Sequence, residues 1–577
     1  MKGKSSYDKL LFVILMTLLF MPMLQAWLQW IPLKPLNGVT IETERPQLSM
    51  ESYRSGDYGK RLEQYLGEHY GFREPTIRLY NQYLWTCYRK TYAKDVAIGK
   101  QGWLYYPQSV SDYYGTELLR WQPSVEAAQH NFDLEVKYMN WARTILKENG
   151  VELLAFMAPE KGFLYPEYLP DGERDTTTFN AREYFEQRFA EIGFPCIEMT
   201  RWFQQKKDTV DYPLIPQTGA HWVFPAVYAA DSLFRFMGDL KGEKLPAIKI
   251  GELHQVSNHG MDNDLEHLLN LTFPIRHRFG YSPRADVSVE RDSTMVKPKV
   301  LFIGNSFFWG ISSFVPLDEV FENVEFWYYF STAYSGKNFE HTESINQMNV
   351  LERLLDFDYV VWFTTGNQMY KGTSGFAKSA VLNLCIEESK LKAYIRHIAD
   401  EQSVTTWQAK TMLFEHPEML PELRGDSLMV RSGDIPYAKI IKDIRKDSVW
   451  VAALEAQGFL RTATLKMMLR AEAAHIMEGK PLYRDQQGEI QFARFCQQEI
   501  EALMSKMRNT PKTMEAIEQQ AIEKGQTLEK TLRGNAEWLI RRKYKLHDCK
   551  LLDDPDAQIP LPPEFQSEEL LNFATLK

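Results

Sequence analysis

Apolar residues fall into three regimes along this chain. From Leu10 to Pro32 the sequence (LLFVILMTLLFMPMLQAWLQWIP) carries no charge and is mostly apolar. As a helix rising 1.5 Å per residue, a stretch of that length crosses a hydrocarbon core. In the middle of the chain, short apolar runs recur at VELLAFM (Val151 to Met157), VLFI (Val300 to Ile303), FWYYF (Phe326 to Phe330) and YVVWF (Tyr359 to Phe363). Amphipathic stretches of helical length, such as Phe132 to Lys147 and Ala226 to Met237, lie between them. Strands apolar on both faces alternating with helices predict a mainly parallel sheet covered on both sides, so the fold class is α/β. Reactive groups in such sheets gather at the carboxyl ends of the strands. Beyond about Phe376 the pattern changes to long, charged amphipathic stretches with little strand signal.

These regimes divide the chain into an N-terminal anchor (1–36), a tether lacking periodicity (37–57), an α/β domain (58–376) and a helical region (377–577). Leu62, Tyr65, Leu66 and Tyr70 share one helical face and predict a helix before Gly71. The helical region contains an internal repeat at an offset of 63 residues, spanning about 440–480 and 503–543: Ala453, Thr464, Leu465, Leu469, Arg470 and Ala473 recur as Ala516, Thr527, Leu528, Leu532, Arg533 and Ala536. Two matched helical hairpins follow, with no titratable cluster beside them, so the region reads as packing or docking structure.

The charge balance narrows the function. A net charge of -9 over 577 residues, with no long basic run, gives no basis for binding a phosphate backbone, and a nucleic-acid partner is not expected. Lys2, Lys4 and Lys9 precede the apolar run and favour a cytoplasmic N-terminus with the body outside. A cleaved signal peptide is the rival reading, but Leu24-Gln25-Ala26 is a poor cleavage site because Leu24 is large. Cys87, Cys196, Cys385, Cys496 and Cys549 are scattered singly, with neither a C-x-x-C pair nor a metal-ligand spacing.

The candidate chemistry lies in two short motifs. PLIPQTGAHW ends in His221-Trp222, and VLFIGNSFFWG presents Ser306 immediately after an apolar strand. A serine hydroxyl becomes a nucleophile when an imidazole takes its proton, so the pair points to acyl transfer. Gly304 allows a sharp turn after the strand, and Asn305 adjoins the serine. Asn367, in FTTGNQMY, follows the YVVWF strand and is a candidate oxyanion donor together with Asn305; a turn-forming Gly-Asn pair explains Asn367 equally well. Trp103, Tyr105, Tyr106, Tyr328, Tyr329 and Tyr334 are candidates for stacking on sugar rings or for the core.

Six segments occur in an order that resembles the AlgX/AlgJ-type SGNH hydrolase-like acetyltransferases of polysaccharide O-acetylation. They are YGFR (Tyr70 to Arg73), RLYNQ (Arg78 to Gln82), VAIGKQGWLYY (Val96 to Tyr106), APEKGFLYPEYLP (Ala158 to Pro170), PLIPQTGAHW and IGNSFF. The resemblance covers about residues 58–376. It implies an SGNH-hydrolase-like fold with the histidine motif ahead of the nucleophile, Ser306 as nucleophile and His221 as general base. Two positions depart from the family pattern: Asn305 stands where the family has the acid of GDS, and Gly219 where it has the aspartate of D-x-H-W. The acid that would orient His221 is therefore open. Asp211, Glu160 and Asp231 are the candidates, and a Ser/His dyad held by a backbone carbonyl is an equal alternative, favoured slightly because no acid lies within two residues of His221.

The reading that follows is an O-acetyltransferase in the inner membrane, single-pass, with its globular part in the periplasm. It acts on a cell-surface or secreted polysaccharide and uses neither metal nor nucleotide cofactor. By resemblance, a multi-spanning membrane-bound O-acyltransferase supplies the acetyl group. Alternatives are a carbohydrate acetylesterase using the same residues, and a catalytically weak glycan-binding or scaffold subunit, suggested by Gly219 and the helical tail.

Overall fold

The computed structural model describes residues 6–38, 43–276, 278–425, 435–461, 463–524, 527–546 and 559–565. Lys2, Lys4, Cys549 and residues 39–42 of the tether lie outside the described residues. Two units are present. The first comprises residues 1–348, 357–381 and 411–427; the second comprises 349–356, 382–410 and 428–577.

The first unit opens with α1 (Ser6–Leu28), whose segment Lys9–Leu28 is long and apolar enough to cross a membrane and is almost wholly exposed. Its end docks on the turn between α2 (Asp57–His69) and α3 (Arg73–Tyr88), where the Gly71 N–H donates to the Pro22 carbonyl at 3.1 Å. A Cβ at Gly71 would fall 2.2 Å from that carbonyl oxygen, so glycine is what permits the approach.

The sheet is built from β1 (Glu152–Ala158), β2 (Cys196–Glu198), β3 (Lys299–Gly304), β4 (Asn323–Tyr328), β5 (Thr332–Ser335), β6 (His341–Ser344) and β7 (Tyr359–Thr365). Their order is β6-β5-β4-β3-β7-β1-β2. The five strands from β4 to β2 are parallel, and β5 and β6 add an antiparallel edge. Every residue of β1 and β7 is buried, as expected of strands covered on both faces by helices such as α4 (Val125–Glu148) and α5 (Ala226–Lys241). The chain is thus α/β with a central, mainly parallel sheet flanked by helices, plus a helical region. β3, β7 and β1 are neighbours, so the residues following each of them share one edge of the sheet.

The second unit is helical, and its repeat is structural as well as sequential. α6 (Ile435–Arg445), α7 (Ser448–Arg461) and α8 (Leu465–Glu478) are followed by α9 (Gln487–Arg508), α10 (Pro511–Lys524) and α11 (Leu528–Lys543). Arg445 and Arg508, Ser448 and Pro511, Arg461 and Lys524, and Leu465 and Leu528 are helix ends or starts lying 63 residues apart. Thr464 and Thr527, also 63 apart, cap α8 and α11 by accepting the Met467 and Lys530 amides. Leu469 and Leu532, with Ala473 and Ala536, are buried in matching positions. Cys87, Cys196, Cys385 and Cys496 are free thiols.

Candidate active site

Ser306 follows β3 by two residues and stands half-buried where the chain turns away from the sheet. The turn needs Gly304: a Cβ there would lie 1.8 Å from the Phe363 carbonyl oxygen of β7. The segment from Pro213 to Phe224 is buried without being helix or strand and carries His221 to the same edge. Trp222 locks it there, donating its indole N–H to the Phe307 carbonyl at 2.8 Å and packing over Gly310. His221 Nε2 then lies 2.7 Å from Ser306 Oγ.

Asp264 completes the arrangement. Its Oδ2 is 2.5 Å from His221 Nδ1, and its Oδ1 accepts the backbone N–H groups of Ala220 and Leu265, each at 2.8 Å. With Nδ1–H donating to the carboxylate, Nε2 is the free lone pair and accepts the serine O–H. The side chains of His221 and Asp264 remain 11% and 24% exposed, so the site is open to an incoming molecule.

The acid therefore differs from every sequence-based candidate. Asp211 is exposed, Asp231 pairs with Arg235 at 2.9 Å, and Glu160 points away into the interior. The expectation of a dyad held by a backbone carbonyl is likewise corrected, since Nδ1 meets a carboxylate. Gly219 explains how the change is accommodated. A Cβ at that position would lie 2.7 Å from the carbonyl oxygens of both Met261 and Asp262. The 259–264 segment thus fills the space a side chain at 219 would need, and brings in its own aspartate. Asp262, fully buried, holds this segment by pairing with Arg284 at 2.6 Å.

Asn305 is also reassigned. Its Oδ1 accepts the Phe307 N–H at 3.1 Å and its Nδ2 donates to Thr365 Oγ1 at 2.8 Å, which places its side chain in the turn rather than toward a substrate. Thr365 in turn donates to Asn367 Oδ1 at 2.7 Å, so one chain of hydrogen bonds joins the nucleophile turn to Asn367. Glu160 lies at the far end. It lies beside Asp112, which receives the hydroxyl of Tyr370 at 2.5 Å, and neither of its own carboxyl oxygens has a hydrogen-bond partner among the described residues. Burial raises the pKa of both carboxyls, Glu160 well above the usual range, and Arg182 opposes the rise.

Among the aromatics, Trp103 and Tyr105 are core residues, 2% and 0% exposed. Tyr106 stands edge-on to His221 with ring centres 6.2 Å apart, and the Tyr329 phenol interacts with the Ser306 hydroxyl. Tyr329 and Phe330 are consecutive left-handed non-glycine residues (φ 47° and 50°), a costly conformation beside the nucleophile. Tyr334 packs against Trp309, at 5.3 Å between ring centres.

Residues 96–308 match the family model described as the SGNH hydrolase-like domain of acetyltransferase AlgX. Among solved structures, the O-acetyltransferase domain of Pseudomonas putida AlgJ is 14% identical, with 48% of this chain and 92% of that one covered and a TM-score of 0.32. Pseudomonas aeruginosa AlgX is 14% identical over 50% of this chain and 67% of that one, with a TM-score of 0.34. Bacillus cereus PatB1 is 12% identical over 48% and 96%, with a TM-score of 0.27. No curated protein matches the chain.

Proposed function

We propose that the chain, whose residues 96–308 match the SGNH hydrolase-like domain of acetyltransferase AlgX, is an O-acetyltransferase that carries acetyl on Ser306 and passes it to a polysaccharide hydroxyl. The observation that carries this reading is the continuous contact from Asp264 through His221 to Ser306 at the sheet edge. His221 Nε2 takes the Ser306 proton as Oγ bonds to the acetyl carbonyl of the donor. The adduct collapses, the donor oxygen leaves with that proton, and the acetyl group remains as an ester on Ser306. A sugar hydroxyl then gives its proton to Nε2 while attacking the ester, and the proton returns to Oγ as the serine leaves. Asp264 holds the imidazole tautomer and stabilises the imidazolium formed in each half.

The length, apolar character and exposure of Lys9–Leu28 support a membrane anchor; a globular part in the periplasm and a multi-spanning membrane-bound O-acyltransferase as donor complete the reading. The same Ser306, His221 and Asp264 would serve a second reading, an acetylesterase in which water replaces the sugar. The contact of Asp264 with His221 Nδ1 weakens one of the two motives for the scaffold reading, the missing acid at Gly219; the helical region remains the other.

The test supplies the full-length protein with an activated acetyl ester and oligosaccharides. Acetylated sugar is expected, and Ser306→Ala should lower its formation by a factor on the order of 10³ or more. Acetate without acetylated sugar would favour the esterase, and wild-type rates in the alanine variant would refute the acyl-enzyme.

A further inference from the structure

We propose that Lys161 is the positioning residue that sets His221 against Ser306, by locking the histidine loop to the sheet that carries the serine. The inference rests on the acyl-transfer reading above. The buried 213–224 loop has no ladder to satisfy its carbonyls, and a buried carbonyl without a partner is costly. The Gln217 carbonyl accepts the Leu104 N–H at 3.0 Å and the Pro216 carbonyl the Gly219 N–H at 3.3 Å, and Lys161 supplies the further donors, including the one to Gly219. Its Nζ donates to the carbonyls of Leu104 (2.7 Å), Pro216 (2.6 Å), Gln217 (2.9 Å) and Gly219 (2.7 Å). An ammonium has three N–H bonds for these four oxygens, so one is shared. Three of the four acceptors lie in the approach to His221.

Lys161 is 3% exposed and follows β1, which is joined to β3 through β7. Among the described residues no carboxylate lies within ion-pair distance of its Nζ. Its charge is faced instead by four carbonyl dipoles and by the rings of Trp103 and Tyr105, each 5.1 Å away. Burial draws its pKa well below the usual lysine value, and the Asp264 carboxylate opposes that shift. Lys161 and Asp264 thus grip the same short segment from two sides. The lysine holds the Gly219 carbonyl, while the aspartate holds the Ala220 N–H and the His221 ring. A cation fixed to the sheet and an anion fixed to the 259–264 segment together define where Nε2 meets Oγ. A buried lysine is expensive, and a packing role alone would be met by methionine or leucine.

The test compares wild type, Lys161→Met and Lys161→Arg in the full-length protein, with an activated acetyl ester and a fluorophosphonate probe for Ser306. Methionine keeps the unbranched chain but removes charge and donors. Its kcat should fall by about tenfold or more with KM within about twofold, because the donor still binds while the imidazole is displaced. Arginine keeps the charge but does not fit the carbonyl cage made for one nitrogen, so its kcat should lie between the two. Met and Arg variants with wild-type kcat, or a loss confined to KM, would overturn the proposal. If the Met variant does not fold, the Arg variant decides alone: reduced kcat at unchanged KM supports the role, and wild-type kcat rejects it. A wild type that neither turns over ester nor is labelled at Ser306 would overturn the acyl-transfer reading and this inference with it. An active wild type matched by its Lys161 variants overturns the inference alone.

Discussion

The two units of this chain bury polar groups for opposite ends. In the α/β unit the buried Lys161, Asp262 and Asn305 each hold an irregular segment that leads to the edge where Ser306 stands. In the helical unit the buried Glu472 accepts the amides of Tyr483 and Arg484 and the indole of Trp450, and Arg461 pairs with Glu489. Those groups close the turns between helices. The helical unit also contains a cavity of about 1030 Å³, lined by Arg461, His475, Tyr483, Glu489 and Tyr544 among others. The contact of Asp264, His221 and Ser306 lies instead at the strand ends of the α/β unit. Cavity size is therefore a poor guide to chemistry in this molecule, and convergence of buried polar groups on one open hydroxyl is the better one.

After loss of the Ser306 hydroxyl or the Asp264 carboxylate, the next largest effect on this contrast is at Gly219. Restoring the family aspartate there forces a side chain against two backbone carbonyls of the 259–264 segment and pushes Asp264 from His221. Gly219→Asp should lower ester turnover by a factor on the order of 10² or more, as displacement of a catalytic group by an ångström does; equal or faster turnover would show that the segment yields and that the new acid replaces Asp264. Smaller, and confined to the other unit, are the caps. Thr464→Ala and Thr527→Ala should each destabilise the helical unit by about 1 kcal/mol in denaturant unfolding while ester turnover stays unchanged. A turnover loss in either would break the division between the units.

Much of this was legible in the sequence because it follows from periodicity. The apolar runs at Val151, Val300 and Tyr359 became β1, β3 and β7, and the 63-residue repeat reappears in helix ends and in the Thr464 and Thr527 caps. The pairing of His221 with Ser306 was also legible, since both stand beside strand-end motifs. Asp264 was not. It opens a short helix, Asp264–Leu268, 43 residues after His221, and an acid at a helix start is ordinary capping chemistry. The two are linked by the close backbone approach at Gly219 and by the Asp264 hydrogen bonds to Ala220 and His221, contacts that leave no periodic trace. The burial of Glu160 and Lys161 escaped for a related reason: charged residues are read as solvent-facing unless a partner is known, and the Lys161 partners are backbone carbonyls distant in sequence. Trp103 and Tyr105, candidates for sugar stacking, instead line the Lys161 cage.

The central claim is that Asp264 orients His221 for attack by Ser306, and the rate at which Ser306 becomes acetylated tests it most directly. Wild type and Asp264→Asn are mixed with an activated acetyl ester, quenched at intervals, and the Ser306 peptide is quantified by mass spectrometry. The amide keeps the shape but disrupts the tautomer and imidazolium support, so acetylation should slow by a factor on the order of 10³ to 10⁴ with donor affinity little changed. Acetylation of Ser306 at the wild-type rate in Asp264→Asn would contradict the account.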